Sequence, residues 1–270
     1  MKKAFLALVA GTSLWGYGEG VLYWVPHTCE TGIHAAAKHG GHGRGESAMF
    51  AAMNLEGNAS AKVVLPDLSV EPLRMNQNTV MLPKPKMGGY YALVAETSSA
   101  GNVNSAVRYL SLMGRPSKIS PTKLTALPKT ALEIVPDPLH REHDRYTASK
   151  SYRFVIRYGE KPLSDTDVVL ETHGTPEQTY TTAADGSFIV TLPNDFTNVK
   201  LGRSENKPSE FLLTTRHREG EVLYTATFSM PYYLNPNDYW QKQSWGAGAI
   251  FIGFLGGMFL YRRTKKARHG

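Results

Sequence analysis

Cysteine is almost absent. Cys29 stands alone in 270 residues, so no disulfide can form within the chain, and an exported fold must hold together by burial alone. No Gly-x-Ser-x-Gly elbow, His-Glu-x-x-His pair, phosphate-binding loop or dinucleotide fingerprint occurs, so no enzymatic function is expected. Low-complexity runs and clear internal repeats are also lacking. The middle of the chain has no surplus of either charge. Lys2, Lys3 and the five cations between 262 and 268 account for the net charge of +7, leaving 23 Lys+Arg against 23 Asp+Glu. The pI near 9.3 therefore does not point to nucleic acid as a partner, and no basic stripe with interleaved aromatics stands out.

Long apolar runs are scarce too, and the two present sit at the ends. Lys2-Lys3, an apolar run over 4–15 and the small-residue stretch Gly16-Tyr17-Gly18-Glu19-Gly20 are the parts of a secretory signal peptide over 1–20. Cleavage after Gly18 or Gly20 is expected, with an uncleaved anchor as the alternative. Residues 245–261 carry no charge and as a helix would rise about 25 Å, enough for a thin or locally compressed hydrocarbon layer. Tyr239, Trp240 and Trp245 crowd one end of this segment and Tyr261 the other, where amphipathic rings prefer to sit. The cations of 262–270 keep the tail in the cytoplasm.

The expectation is a single-pass protein of a bacterial inner membrane, embedded in the lipid bilayer, with a periplasmic ectodomain and a cytoplasmic basic tail. A buried C-terminal helix of a soluble domain is the alternative. Ala249, Gly253 and Gly257 recur every four residues, the small-residue spacing that lets two spans approach closely. They are the candidate membrane-association residues, toward a second copy or a membrane partner.

The densest chemistry lies in the His/Gly-rich segment 21–47. His27, Cys29, His34, His39 and His42 fall within 16 residues. Neutral imidazole and thiolate are preferred ligands of nickel, cobalt, copper and zinc, and the glycines would let backbone wrap round such a divalent ion. The spacing matches no zinc-finger pattern, and a solvated loop is the alternative. A second candidate for a metal or partner site is His140, His143 and Asp144. Two imidazoles three residues apart share a helical face, and a carboxylate follows that could orient a ring. Here too a plain surface loop is the alternative. Asp165, Asp167 and Asp185 read as turn residues.

Between the ends the pattern is β. Segments 61–65, 79–82, 90–97 and 106–113 are short, β-branched and aromatic, and separated by Gly, Pro, Asn and Ser, which predicts a first β domain over 48–114. Residues 115–130 hold three prolines and no period, so they are expected to be a linker. Segments 132–135, 152–158, 166–172, 179–183, 187–192, 210–215 and 222–229 predict seven strands over 131–232, the count of an immunoglobulin-like (Ig-like) sandwich. The expected fold class is mainly β, a tandem Ig-like β-sandwich ectodomain with one C-terminal transmembrane helix.

Leu132-Glu-Ile-Val-Pro136, Phe154 through Gly159-Glu-Lys-Pro-Leu163, Asp167-Val168, Ala184-Asp-Gly-Ser-Phe188 and Tyr224-Thr-Ala-Thr resemble the NikM-like exported bacterial family associated with nickel and cobalt transport. The resemblance covers 130–230. It implies β-rich Ig-like domains behind a signal peptide, with a role in metal uptake or delivery beside a membrane transporter. Members often begin the mature chain with a histidine, whereas the nearest one here is His27. Two functions are therefore expected. One is a membrane-anchored periplasmic protein that binds a transition metal and assists its uptake or delivery. The alternative is a structural accessory subunit of a larger membrane complex, without metal. The paired tyrosines Tyr90-Tyr91 and Tyr232-Tyr233 are expected contact residues for the alternative.

Overall fold

Burial along the strands separates two kinds of sequence. In the computed structural model the described residues are 18, 20–27, 48–82, 84–140 and 145–267, with some side chains of the last helix left aside. In chain order the elements begin with β1 (Tyr23–Pro26), β2 (Met49–Met53), β3 (Asn58–Val64), β4 (Val70–Leu73), β5 (Met75–Asn76) and β6 (Thr79–Met81). β7 (Met87–Ser99), β8 (Asn102–Leu112), β9 (Arg115–Pro116) and α1 (Pro121–Ala126) follow. The second half holds β10 (Leu132–Pro136), β11 (Tyr146–Thr147), β12 (Ser151–Tyr158), β13 (Lys161–Pro162) and β14 (Asp167–Thr172). It continues with β15 (Gln178–Thr181), β16 (Ser187–Thr191), β17 (Ser209–Glu219), β18 (Val222–Tyr233) and α2 (Pro236–Ala267). Strands β12, β14 and β16 alternate buried and exposed, as a sheet with one dry face requires. The middles of β7, β8, β17 and β18 are buried at every position, which requires cover on both faces.

The topology supplies that cover. A ten-stranded sheet runs β15-β14-β17-β18-β8-β7-β3-β4, with β11 beside β18 and β9 beside β7. A small sheet, β1-β2-β6-β5, covers one face through Trp24, Phe50, Val80, Leu93, Ala95 and Ala106. A second small sheet, built on β10, β12, β13 and β16, covers the other face through Phe154, Phe188, Val94, Val107, Phe211 and Phe228. The architecture is thus a mainly β, three-layered sandwich.

Strands from the two halves of the chain meet in parallel in the middle layer, β8 beside β18, with Asn102 opposite Leu223 and Val107 opposite Phe228. The expected domains 48–114 and 131–232 therefore share one sheet. Nor is 115–130 only a linker. Ser120 accepts the Thr122 N–H, Pro121 takes the first helical position where its missing N–H costs nothing, and α1 carries Leu124 into the core. The predicted turns at Gly159 and Gly186 are present, with φ of +60° and +72°.

Asn235 starts α2 by accepting the Asn237 N–H at 3.1 Å, with Pro236 at the first helical position. The first turn is packed on the body. Leu234 and Tyr239 are buried, and Asn194 Nδ2 donates to Asp238 Oδ2 at 3.0 Å. From Gly246 onward the described side chains are exposed, and the space around Gly246, Gly248, Gly253, Gly256 and Gly257 is open to 4 Å. Among the described residues no helix is long and apolar enough to cross a membrane. The unbroken described apolar stretch of α2, 248–259, rises about 18 Å, short of a hydrocarbon layer of roughly 30 Å. The expected span 245–261 is thus described only in part. The expected signal peptide, apart from Gly18 and Gly20, and the end of the tail, 268–270, lie outside the described residues.

Candidate functional site

Of the first histidine set only His27 is described; Cys29, His34, His39 and His42 lie outside the described residues. His27 follows β1 and is half-buried, its backbone N–H donating to the Met49 carbonyl at 3.0 Å. Of the second set only His140 is described; His143 and Asp144 lie outside. The His140 ring stands edge-on to Tyr146 at 4.7 Å and Tyr152 at 4.8 Å, and Tyr90 donates its hydroxyl to the His140 carbonyl.

His140 opens on a cleft of about 210 Å³ lined also by Asp137, Tyr146, Ser151, Tyr152 and Arg153. Arg153 is ion-paired to Asp137 and, at 2.9 Å, to Asp185. Tyr152 accepts the Thr147 N–H at 2.6 Å, while the buried Tyr146 hydroxyl has no partner, and burial pushes its pKa up. The carboxylate of the cleft, Asp137, is thus already committed to Arg153. Among the described residues no three His, Cys, Asp or Glu side chains come together to hold a metal ion, and each predicted metal set has a single member, His27 or His140, among those residues.

The structure adds two buried ion networks. Arg108 on β8 is clamped bidentately by Glu210 on β17, at 2.9 and 3.0 Å, and donates to the Trp24 carbonyl at 3.3 Å. It thereby ties the small sheet of β1 to two strands of the central sheet. Glu133 on β10, fully buried, takes Lys129 at 2.6 Å and Arg157 at 2.8 Å. Lys129 Nζ also donates to the Leu127 carbonyl at 2.7 Å and lies over the Tyr109 ring at 5.6 Å. Desolvation pulls the Lys129 pKa down while Glu133 opposes that shift. The signal for both networks was visible as a charge inside an apolar strand, Val107-Arg108-Tyr109 and Leu132-Glu133-Ile134. These networks brace the packing between strands, and a lone partner left in either place would be an unpaired buried charge.

The paired tyrosines are committed to the body. Tyr91 donates to the Met87 carbonyl at 2.6 Å, Tyr232 donates to Asp195, and Arg145 lies over the Tyr233 ring at 4.4 Å. Each pair thus has a polar or ring contact within the fold, while Tyr90 and Tyr233 stay partly exposed. Asp185 is a turn residue as expected, accepting the Ser187 N–H at 3.0 Å and its hydroxyl at 2.6 Å. Ala249, Gly253 and Gly257 lie exposed along α2, with no part of the body against either glycine.

No family model matches the chain, and no curated protein matches it in sequence. Among solved structures it is similar to the D0–D1 domain of intimin, at 18% identity over 70% of this chain and 90% of that one, with a TM-score of 0.25. It is also similar to a two-domain fibronectin type III segment of chicken tenascin, at 7% identity over 69% and 93%, with a TM-score of 0.23. A Ca²⁺-stabilised ice-binding adhesin of an Antarctic bacterium matches at 11% identity over 82% of this chain and 50% of that one, with a TM-score of 0.27. At these scores the likenesses add nothing to the sandwich read from the strands.

Proposed function

We propose that the chain is a single-pass protein of a bacterial inner membrane, and that its Ig-like β-sandwich body stands in the periplasm as the accessory subunit of a membrane complex. The observation that carries this reading is the surface of α2. Ile250, Phe251, Ile252, Phe254, Leu255, Met258, Phe259 and Tyr261 are all exposed, and at about 100° per residue they leave no polar face. A helix apolar all round belongs in a protein core or in lipid, and the body supplies no core here. The whole helix, 32 residues, rises about 48 Å, so it can carry 245–261 through a compressed hydrocarbon layer and end among the cations that follow. The Ala249–Gly253–Gly257 seam gives a second span a place to approach.

The test is fractionation of the full chain. It should stay with membranes through an alkaline wash, and deletion of 245–261 should release it. A chain washed free, or a reporter after Gly270 found outside the cell, overturns the anchor. Leucine at Gly253 and Gly257 should strip a co-purifying membrane partner in mild detergent while leaving the chain in the membrane.

The metal reading stands second. His27 and His140 lie at one end of the body, the end where β18 runs into α2. His27 comes three residues after Trp24, whose carbonyl accepts from Ser229, and His140 is bonded to Tyr90 near the start of β7. A nickel- or cobalt-class ion taken up there would be delivered next to the membrane. Replacing His27, Cys29 and His34 together should abolish stoichiometric uptake by the purified chain, and unchanged uptake removes this reading.

A further inference from the structure

The strand register fixes which residues share an end of the body. β18 reaches α2 at Tyr233, and its parallel neighbour β8 reaches the same level at Leu112, counting on from the Val107–Phe228 pair. β7 begins there with Gly89 opposite Leu112, and β9 lies beside it. The loop between β16 and β17 is tied to that end as well, through the Asn194–Asp238 bond and the Phe196 ring, 5.3 Å from Tyr232. β6 arrives there too, since Met81 pairs with Met49, which is bonded to His27.

Side chains are sorted by end. Of the large apolar side chains exposed outside α2 among the described residues, Met81, Met113 and Leu201 stand at this end, Met113 at 71% exposure. Beside Met113 a cleft of about 480 Å³ is lined by Lys86, Arg115 and Lys118. Its acid, Asp67, already accepts from the Ser69 N–H at 3.0 Å and hydroxyl at 2.5 Å. Lys200, Arg203 and Lys207 are exposed in the same loop as Leu201, with Glu205 between the last two. The opposite end, at the β7–β8 and β17–β18 turns, exposes Glu56, Glu160, Glu219 and Glu221 against Lys161, Arg216 and Arg218. A body neutral in sum is therefore basic and apolar where α2 leaves it and mildly acidic at its tip.

Gly246, exposed, comes only seven positions after the buried Tyr239, about 10 Å of helix. The headgroup layer on one side of a bilayer is about 5–8 Å thick. Resting on the anchor reading of α2, we propose that this end of the body lies against the bilayer surface. Met81, Met113 and Leu201 enter the headgroup layer, and the two basic clusters bind the phosphates of anionic lipids. The bilayer thus holds the body in one orientation.

The test uses the full chain with Cys29→Ser, reconstituted in nanodiscs of phosphatidylcholine alone or with phosphatidylglycerol. A fluorophore is placed at Met113→Cys, at Leu201→Cys or, at the far tip, at Glu221→Cys. Quenching by headgroup-labelled lipid should be strong at 113 and 201 and absent at 221. It should rise about twofold with phosphatidylglycerol and fall back in high salt, where the screening length shrinks. The triple variant Lys86→Glu, Arg115→Glu, Lys118→Glu should lose the phosphatidylglycerol dependence at 113 while still entering the discs. Equal quenching at all three positions, or none, in chain that has entered the discs overturns the docking and leaves the anchor standing. Failure to enter the discs overturns the anchor, and the docking with it. A label that stays unquenched in discs yet is shielded in native membranes assigns this end to a protein partner and overturns the lipid reading.

Discussion

One face of the central sheet is packed with rings and the other with small side chains around a buried ion pair. On the first, Tyr146, Phe154, Phe211 and Phe228 meet one another at 5.0 to 6.5 Å, mostly edge to face. On the second, Ala52, Ala61, Ala95 and Ala106 bring the β1 sheet close under Trp24, whose Nε1 donates to the Ala106 carbonyl at 3.2 Å, and Arg108 reaches Glu210. One sheet thus carries two kinds of adhesion. The aromatic side gains by area and should fail when a ring is removed. The alanine side gains by close approach and should fail when a side chain grows or a charge loses its partner.

The largest expected effect comes from the aromatic face. Phe228→Ala should cost about 3–5 kcal/mol in denaturant unfolding of the full chain, because a void opens where both sheets contribute rings. On the other face, Arg108→Ala should cost roughly 3 kcal/mol by leaving Glu210 without its clamp, whereas Arg108→Met with Glu210→Leu should cost much less. If the double variant is no better than the single, the ion pair is not what distinguishes this face.

Ala95→Leu should destabilise by about 1–3 kcal/mol through overcrowding. A change near zero would mean the small sheet can move away, and would break the comparison.

The smallest effect concerns Glu171, half-buried on the alanine side, whose carboxylate accepts the Gly18 N–H at 2.7 Å in the uncleaved chain. Burial raises its pKa above the usual 4.5 against that hydrogen bond. A raised carboxyl favours the fold below pH 4.5, and that contribution is lost as pH climbs through the higher folded value. Glu171→Gln should therefore flatten the stability profile between pH 4.5 and neutrality by less than about 1 kcal/mol, read from unfolding midpoints across that range.

The strands themselves were legible. Alternation in 152–158 and 166–172 marked one-faced strands, and Asp185-Gly186 marked a turn that is present. The continuous runs at 90–97 and 210–215 also read as strands. But a run buried on both faces has no alternation left to say what covers each side, so three layers could not be told from two tandem sandwiches. The pairing of β8 with β18 joins residues some 120 positions apart, beyond any local period.

The helix in 115–130 was missed because its prolines read as breakers, although Ser120-Pro121 also marks a helix start. Of the candidate sites, the apolar surface of α2 was plain in composition. Sorting of charge between the two ends was invisible, since Lys86 is brought beside Arg115 and Lys118 only by strand register, and the loop holding Lys200, Arg203 and Lys207 is set at the same end only by its ties to Tyr232 and Asp238.

The parallel junction of β8 with β18 has a consequence for how the chain is made. If the chain is secreted from its N-terminus and α2 is the anchor proposed above, β8 emerges long before its neighbour and waits with an open hydrogen-bonding edge. The middle layer closes only when 222–233 has come through, immediately ahead of the apolar stretch of α2. Folding and arrest of translocation then fall at nearly the same moment. A chain cut short at any point before β18 is left with an unzipped sheet, a template for aggregation rather than a smaller working domain.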